Sequence, residues 1–264
     1  MTLFTLQLGL SFLIGGVWIA LTSMAAERFG PRLGGLIGGL PSTVVVAMFF
    51  IGWTQGLQQV YDATTAFPLT MAVNGFYLIA YALLLRRGVA VAIGGALTLW
   101  AVLQTAIVLL DPRRYDWALV GWALALVAAY LIIHRLTRGA SSGPQHLAYA
   151  PAQVLGRGAF GGAVIVAAVA LSKIGGPIFG SVFSVFPAVF TSTLVITARS
   201  VGPAFTLSLV TPLMVSAVVN VVVYAIALRL AVLPLGLIGG SAAAYAVSLV
   251  SAALTHLFLK SRAP

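Results

Sequence analysis

Nine stretches of the chain, each close to the length of a bilayer crossing and nearly free of charge, follow one another with short polar breaks between them. They fall at residues 3–25, 33–53, 64–85, 89–110, 117–134, 151–172, 176–198, 205–228 and 233–258. A hydrocarbon core about 30 Å thick takes roughly 20 apolar residues of helix. Lipid offers no partner to a bare N–H or C=O group, so runs of this kind must be helical. The expectation is an all-α integral membrane protein. Composition agrees, with 61% of the 264 residues hydrophobic and 7% charged, where soluble domains carry roughly 45–50% and 25%.

The 14 Lys and Arg outnumber the 4 Asp and Glu, for a formal net charge of +10. In a soluble chain such an excess would point to nucleic acid. Here the basic residues stand singly or in pairs between apolar runs, with no patch interleaved with aromatics, a pattern that suits lipid headgroups. Nucleic acid is therefore excluded as a partner. With nine crossings the loops alternate between two sides, ten basic residues falling on one and four on the other. The positive-inside rule then places the C-terminus in the cytoplasm and the N-terminus outside, in an inner or plasma membrane. The first run reads as a permanent span, not a signal peptide, because no Lys or Arg precedes it.

Displacing the sequence by 146 residues against itself aligns structure-setting residue types. Gly15 and Gly16 meet Gly161 and Gly162, Gly30-Pro31 meets Gly176-Pro177, and Gly34 meets Gly180. Pro41 meets Pro187, Gly56 meets Gly202, Asn74 meets Asn220 and Gly94 meets Gly240. Leu or Ala coincidences would mean little in so apolar a chain, whereas Gly-Pro, Pro and Asn at one offset mark a duplication. Five spans separate equivalent points, so equivalent helices cross in opposite directions. The expected organisation is a four-helix repeat at 1–110, a connector helix and cytoplasmic linker at 111–146, and a second four-helix repeat at 147–264. Inverted repeats of this kind underlie many secondary transporters, because two similar halves can exchange conformations around a midplane site.

The second and seventh runs are the most unusual: Gly34, Gly35, Gly38, Gly39 and Pro41 fill the first half of one, and Gly175, Gly176, Pro177, Gly180 and Pro187 fill the other, with Gly34 equivalent to Gly180 and Pro41 to Pro187. Each proline removes a backbone donor and frees a carbonyl one turn earlier. Such helices either break to line a solute site or kink while their small residues pack closely. The candidate substrate-binding set is Pro41, Ser42, Ser184 and Pro187 on these runs, with Thr70, Asn74, Ser216 and Asn220 on the third and eighth. Each Asn follows a Thr or Ser by four residues, on one helix face, and a midplane carboxamide either bonds a neighbouring helix or faces a polar cavity. Gln104 with Thr105, and Ser248 with Ser251, are secondary candidates. Arg157 lies about 9 Å into the sixth helix, at 1.5 Å per residue. It is either a snorkelling interfacial residue or a contact for an anion.

No Asp or Glu falls inside an apolar run, so carboxylate-based proton or sodium coupling is not expected. Sodium as a coupling ion would have to be held by carbonyl and hydroxyl oxygens. There is no Walker motif, no Cys, and no His pair at helical metal spacing, so neither a cofactor nor a metal is expected, and Ser or Thr without a neighbouring base gives no enzyme. The leading expectation is a permease that moves a small neutral or anionic solute by alternating access. The alternatives are a passive pore or a non-transporting subunit of a membrane complex.

Overall fold

The structure, a computed structural model, describes residues 2–28, 40–137 and 150–261, with side chains described for all of these except 26–28 and 258–261. Every regular element among them is helical. In chain order these are α1 (Leu3–Arg28), α2 (Ser42–Gln55), α3 (Leu57–Leu84), α4 (Val89–Leu110), α5 (Tyr115–Leu136), α6 (Pro151–Gly175), α7 (Pro177–Ser184), α8 (Ala188–Ser200), α9 (Pro203–Leu213) and α10 (Val219–Ser261). A 3₁₀ turn, Leu85–Arg87, follows α3, and a π-helical segment, Met214–Val218, joins α9 to α10. Seven helical runs among the described residues are long and apolar enough to cross a membrane. The last, Pro203–Leu257, is 55 residues long and breaks at Gly236, whose φ of 71° and ψ of −178° are not helical. The chain is thus a multi-pass membrane protein.

Two boundaries differ from those expected from the sequence. The helix expected over 64–85 begins at Leu57, because Gln58, Gln59 and Asp62 continue it beyond the apolar stretch. The break expected at 229–232 lies at Gly236, and Arg229 sits inside α10. Most of the linker and residues 29–39, with Gly34, Gly35, Gly38 and Gly39, lie outside the described residues.

Helix α3 is the centre of the molecule. It packs against α4, α5, α7 and α10, and its most apolar window is 72% buried, against 17% in α4 and in α5. The peripheral helices turn Leu, Val and Ile outward, among them Leu109, Leu124 and Val102, as a surface bathed in lipid requires. Tyr77, Tyr81 and Phe67 of α3, Phe50 of α2 and Tyr224 of α10 are the largest fully buried side chains. Glycines stand at helix junctions at equivalent places, Gly56 alone between α2 and α3 and Gly202, after Val201, between α8 and α9. Gly56 has φ 97° and ψ 165°, and Gly202 has φ 118° and ψ 170°. Only glycine enters that region cheaply, so the chain turns at the glycine.

The crossing of α1 and α6 is built from glycine. A Cβ on Gly158 would lie 2.7 Å from the carbonyl oxygen of Gly16, and one on Gly162 would lie 2.7 Å from that of Phe12. Small residues let two membrane helices approach to backbone contact, where dispersion, not the hydrophobic effect, holds them. These contacts are reciprocal at the 146-residue offset. Gly15 faces Ile165 while Gly161 faces Ile19, and Gly16 faces Gly158 while Gly162 faces Phe12.

Candidate functional site

The two prolines that coincide in the sequence have almost the same backbone. Pro41 has φ −76° and ψ 49°, and Pro187 has φ −76° and ψ 43°. Each sits at the centre of a tight three-residue turn. The N–H of Ser42 donates to Leu40 O at 2.8 Å, and that of Ala188 donates to Phe186 O at 2.7 Å. The next bonds also correspond, from Val45 N–H to Pro41 O at 2.9 Å and from Thr191 N–H to Pro187 O at 2.8 Å. The ring fixes φ near −65°, close to the value an inverse γ-turn needs, which is why proline stands there. Pro187 separates α7 from α8 near the middle of the 24-residue run Pro177–Ser200, so this apolar run is interrupted at its centre.

Both turns line one cavity of about 50 Å³, enough for a few water molecules. Its wall is completed by Met71 and Asn74 of α3, Ser184 and Val185 beside the second turn, Ala217 of the π segment and Val221 of α10. Among the described residues of the wall none is charged. Asn74 is 2% exposed. Its Nδ2 donates to Val185 O at 2.8 Å, and its Oδ1 is buried without a hydrogen-bond partner among the described residues. The Ser184 hydroxyl is occupied within its own helix, donating to Ser181 O at 2.8 Å. Pro41, Ser42, Asn74, Ser184 and Pro187 therefore come together, and Thr43 joins them.

The remaining candidates stand apart from the cavity. Thr70 lies behind its wall, with its hydroxyl 3.0 Å from that of Ser181 and its carbonyl accepting from Gln104 Nε2 at 2.9 Å. Asn220 and Ser216 belong to a separate polar cluster. There Asn220 Nδ2 reaches Ser216 Oγ at 3.2 Å, and Asn220 Oδ1 accepts from Ser251 Oγ at 2.7 Å and Thr255 Oγ1 at 3.4 Å. Arg157 is buried and donates to Thr193 Oγ1 of α8 at 3.1 Å, so it turns inward onto a neighbouring helix.

Sequence reasoning missed two features. Arg229, read as a loop charge, lies over the rings of Tyr61 at 4.0 Å and Tyr115 at 4.6 Å. Its Nη1 donates to Tyr61 O, Thr64 Oγ1 and Thr65 Oγ1 at 2.9–3.2 Å. Stacking on aromatic faces holds a guanidinium without a carboxylate. The hydrogen-bond partners are more than 160 residues away in sequence, and no local pattern marks them. The second is Gln55 and Gln59, which tie the α2–α3 corner to α6 by donating to Val169 O at 3.0 Å and Ser172 O at 3.2 Å. Amides grouped at a helix junction were the available signal.

Residues 8–113 match a protein family of unknown function, DUF3147. No curated protein and no solved structure matches the chain.

Proposed function

We propose that this protein is a permease of the secondary-transporter type that moves a small neutral or anionic solute by alternating access. In this reading it crosses the membrane nine times. Two inverted four-helix units, at 1–110 and 147–264, are joined by the connector α5 and its linker. The run Pro203–Leu257, broken at Gly236, supplies two crossings, and α2 falls in the span expected from the sequence at 33–53. The C-terminus is cytoplasmic, and the protein performs no chemistry on its cargo.

The observation that carries the proposal is the cavity between the Pro41 and Pro187 turns. Two helix ends with near-identical dihedrals, drawn from corresponding places in the two halves, meet at one mostly apolar pocket into which Ser42, Thr43, Asn74 and Ser184 bring polar groups. An interrupted helix exposes backbone groups that hydrocarbon cannot satisfy, and such interruptions are tolerated where they line a cavity. The reciprocal glycine contacts of α1 and α6 supply what a pseudo-two-fold relation between the halves requires. The family match to residues 8–113 ends within a few residues of the first unit, which agrees with that unit being a module of its own.

Asn74 Oδ1 is the group we assign to the solute, and Asn220 is its counterpart, engaged here by Ser216, Ser251 and Thr255. An exchange of conformation between the halves would reverse the two roles. Counterflow of labelled solute in reconstituted vesicles tests the proposal: a saturable exchange lost in Asn74→Ala is expected. Flux that neither saturates nor shows counterflow would replace the permease with a pore.

A further inference from the structure

The proline turns also set the electrical character of the cavity. Neither α2 nor α8 has a side-chain cap on its first turn. The N–H groups of Thr43, Val44, Val189 and Phe190 make no backbone hydrogen bond among the described residues, and all four residues belong to the cavity wall. A helix N-terminus carries the equivalent of about half a positive charge, and two of them at one cavity supply roughly one, with no Lys or Arg among the described residues of its wall. Ser42 and Thr43 add hydroxyls that have no hydrogen-bond partner among the described residues, although both side chains are more than nine-tenths buried. Free amides at a helix N-terminus are a ready-made anion site.

One group restricts which anion fits. Asn74 Oδ1 accepts hydrogen bonds and cannot give one, and its orientation is fixed because Nδ2 donates to Val185 O. It would repel a bare oxyanion, yet it needs a donor, since an unpaired buried acceptor costs about 1–3 kcal/mol. A cation would meet two positive helix ends and no carboxylate. A dianion would exceed the charge that the helix ends offset.

Resting on the reading of this cavity as the solute site, we infer that its ligand is a small monoanion carrying its own O–H or N–H donor beside the charged oxygens. A short hydroxy-carboxylate is the simplest such molecule. The carboxylate lies against the first turns of α2 and α8, and the ligand's donor meets Asn74 Oδ1. Met71, Phe186 and Phe190 form the bulky apolar part of the wall.

Thermal unfolding of the purified protein with sodium glycolate, sodium acetate and neutral glycolamide, at matched ionic strength, separates the two requirements. Glycolate is expected to stabilise saturably. Acetate, which lacks the donor, and glycolamide, which lacks the charge, should each bind at least roughly tenfold more weakly, the worth of one good hydrogen bond. Asn74→Ala should bring glycolate down to the level of acetate, and Thr43→Val, which keeps the shape of the side chain, should weaken glycolate several-fold. Equal binding of glycolate and glycolamide, equal binding of glycolate and acetate, or no saturable stabilisation by any of the three would overturn the inference. Glycolate binding without counterflow would remove the permease and leave this ligand class standing. Counterflow of a neutral solute without glycolate binding would do the reverse.

Discussion

The crossing of α1 with α6 and the pair Asn74 and Asn220 both relate the two halves of the chain, but in different ways. At the crossing the glycine contacts have counterparts 146 residues away, Gly15 on Ile165 answered by Gly161 on Ile19 and Gly16 on Gly158 answered by Gly162 on Phe12. At the asparagines the counterparts have different surroundings. Asn74 holds a neighbouring carbonyl and leaves Oδ1 buried without a partner among the described residues, while the Oδ1 of Asn220 is filled by two hydroxyls of α10. In a bundle of two like halves, a contact that maps onto itself survives an exchange of conformations unchanged. A pair of equivalent groups with unequal partners must trade them. The crossing is therefore the fixed part in this account, and the asparagines report which of two states is occupied. Such an exchange requires two arrangements differing by only a few kcal/mol.

The largest expected effect comes from the fixed part. Gly158→Ala or Gly162→Ala places a methyl against a backbone carbonyl that has no room to yield, and should destabilise by about 1–3 kcal/mol, seen as a lower unfolding temperature in detergent. Gly156→Ala, whose Cβ would meet nothing within 4 Å, should leave it unchanged. Equal behaviour of Gly156 and Gly158 variants would dissolve the distinction between a tight crossing and its flank. Next in size, Asn74→Ala should reduce both ligand stabilisation and counterflow by at least roughly tenfold, because it removes the acceptor and frees the Val185 carbonyl together.

Asn220→Ala sharpens the comparison. It should cost about 0.6–1.7 kcal/mol of stability, the range measured for hydrogen bonds between membrane helices, and leave binding within about twofold while slowing counterflow. Binding lost as completely as in Asn74→Ala would mean that the two sites are not in different states. Ser184→Ala should matter least. Its hydroxyl bonds Ser181 O on its own helix, so ligand affinity measured by thermal shift should change by less than about twofold.

Much of this arrangement was legible in the sequence, for identifiable reasons. Pro and Gly specify backbone shape, so the coincidence of Pro41 with Pro187 and of Gly56 with Gly202 carried over as near-equal dihedrals. Asn74 stood out because a carboxamide in an apolar helix must find partners, and it lines the cavity. Its difference from Asn220 was not legible, since the two have the same local pattern and differ only through Ser251 and Thr255, 31 and 35 residues away. Arg229 was misplaced because hydropathy treats a charge as a break, whereas Tyr61 and Tyr115 shield it within a continuous helix. The early start of α3 has a similar cause. Gln58, Gln59 and Asp62 are polar, but they are compatible with helix once the helix extends beyond the apolar stretch.

The inverted relation of the halves can be measured directly, because the chain contains no Cys and a single introduced thiol gives an unambiguous signal. Gln58 and Ala204 are both exposed, each two residues beyond the glycine that turns the chain, and they are equivalent at the 146-residue offset. Gln58→Cys and Ala204→Cys, probed with a membrane-impermeant maleimide on intact cells and on inverted vesicles, should label from opposite sides. Labelling of both from the same side would contradict the inverted architecture and, with it, alternating access at the Pro41–Pro187 cavity.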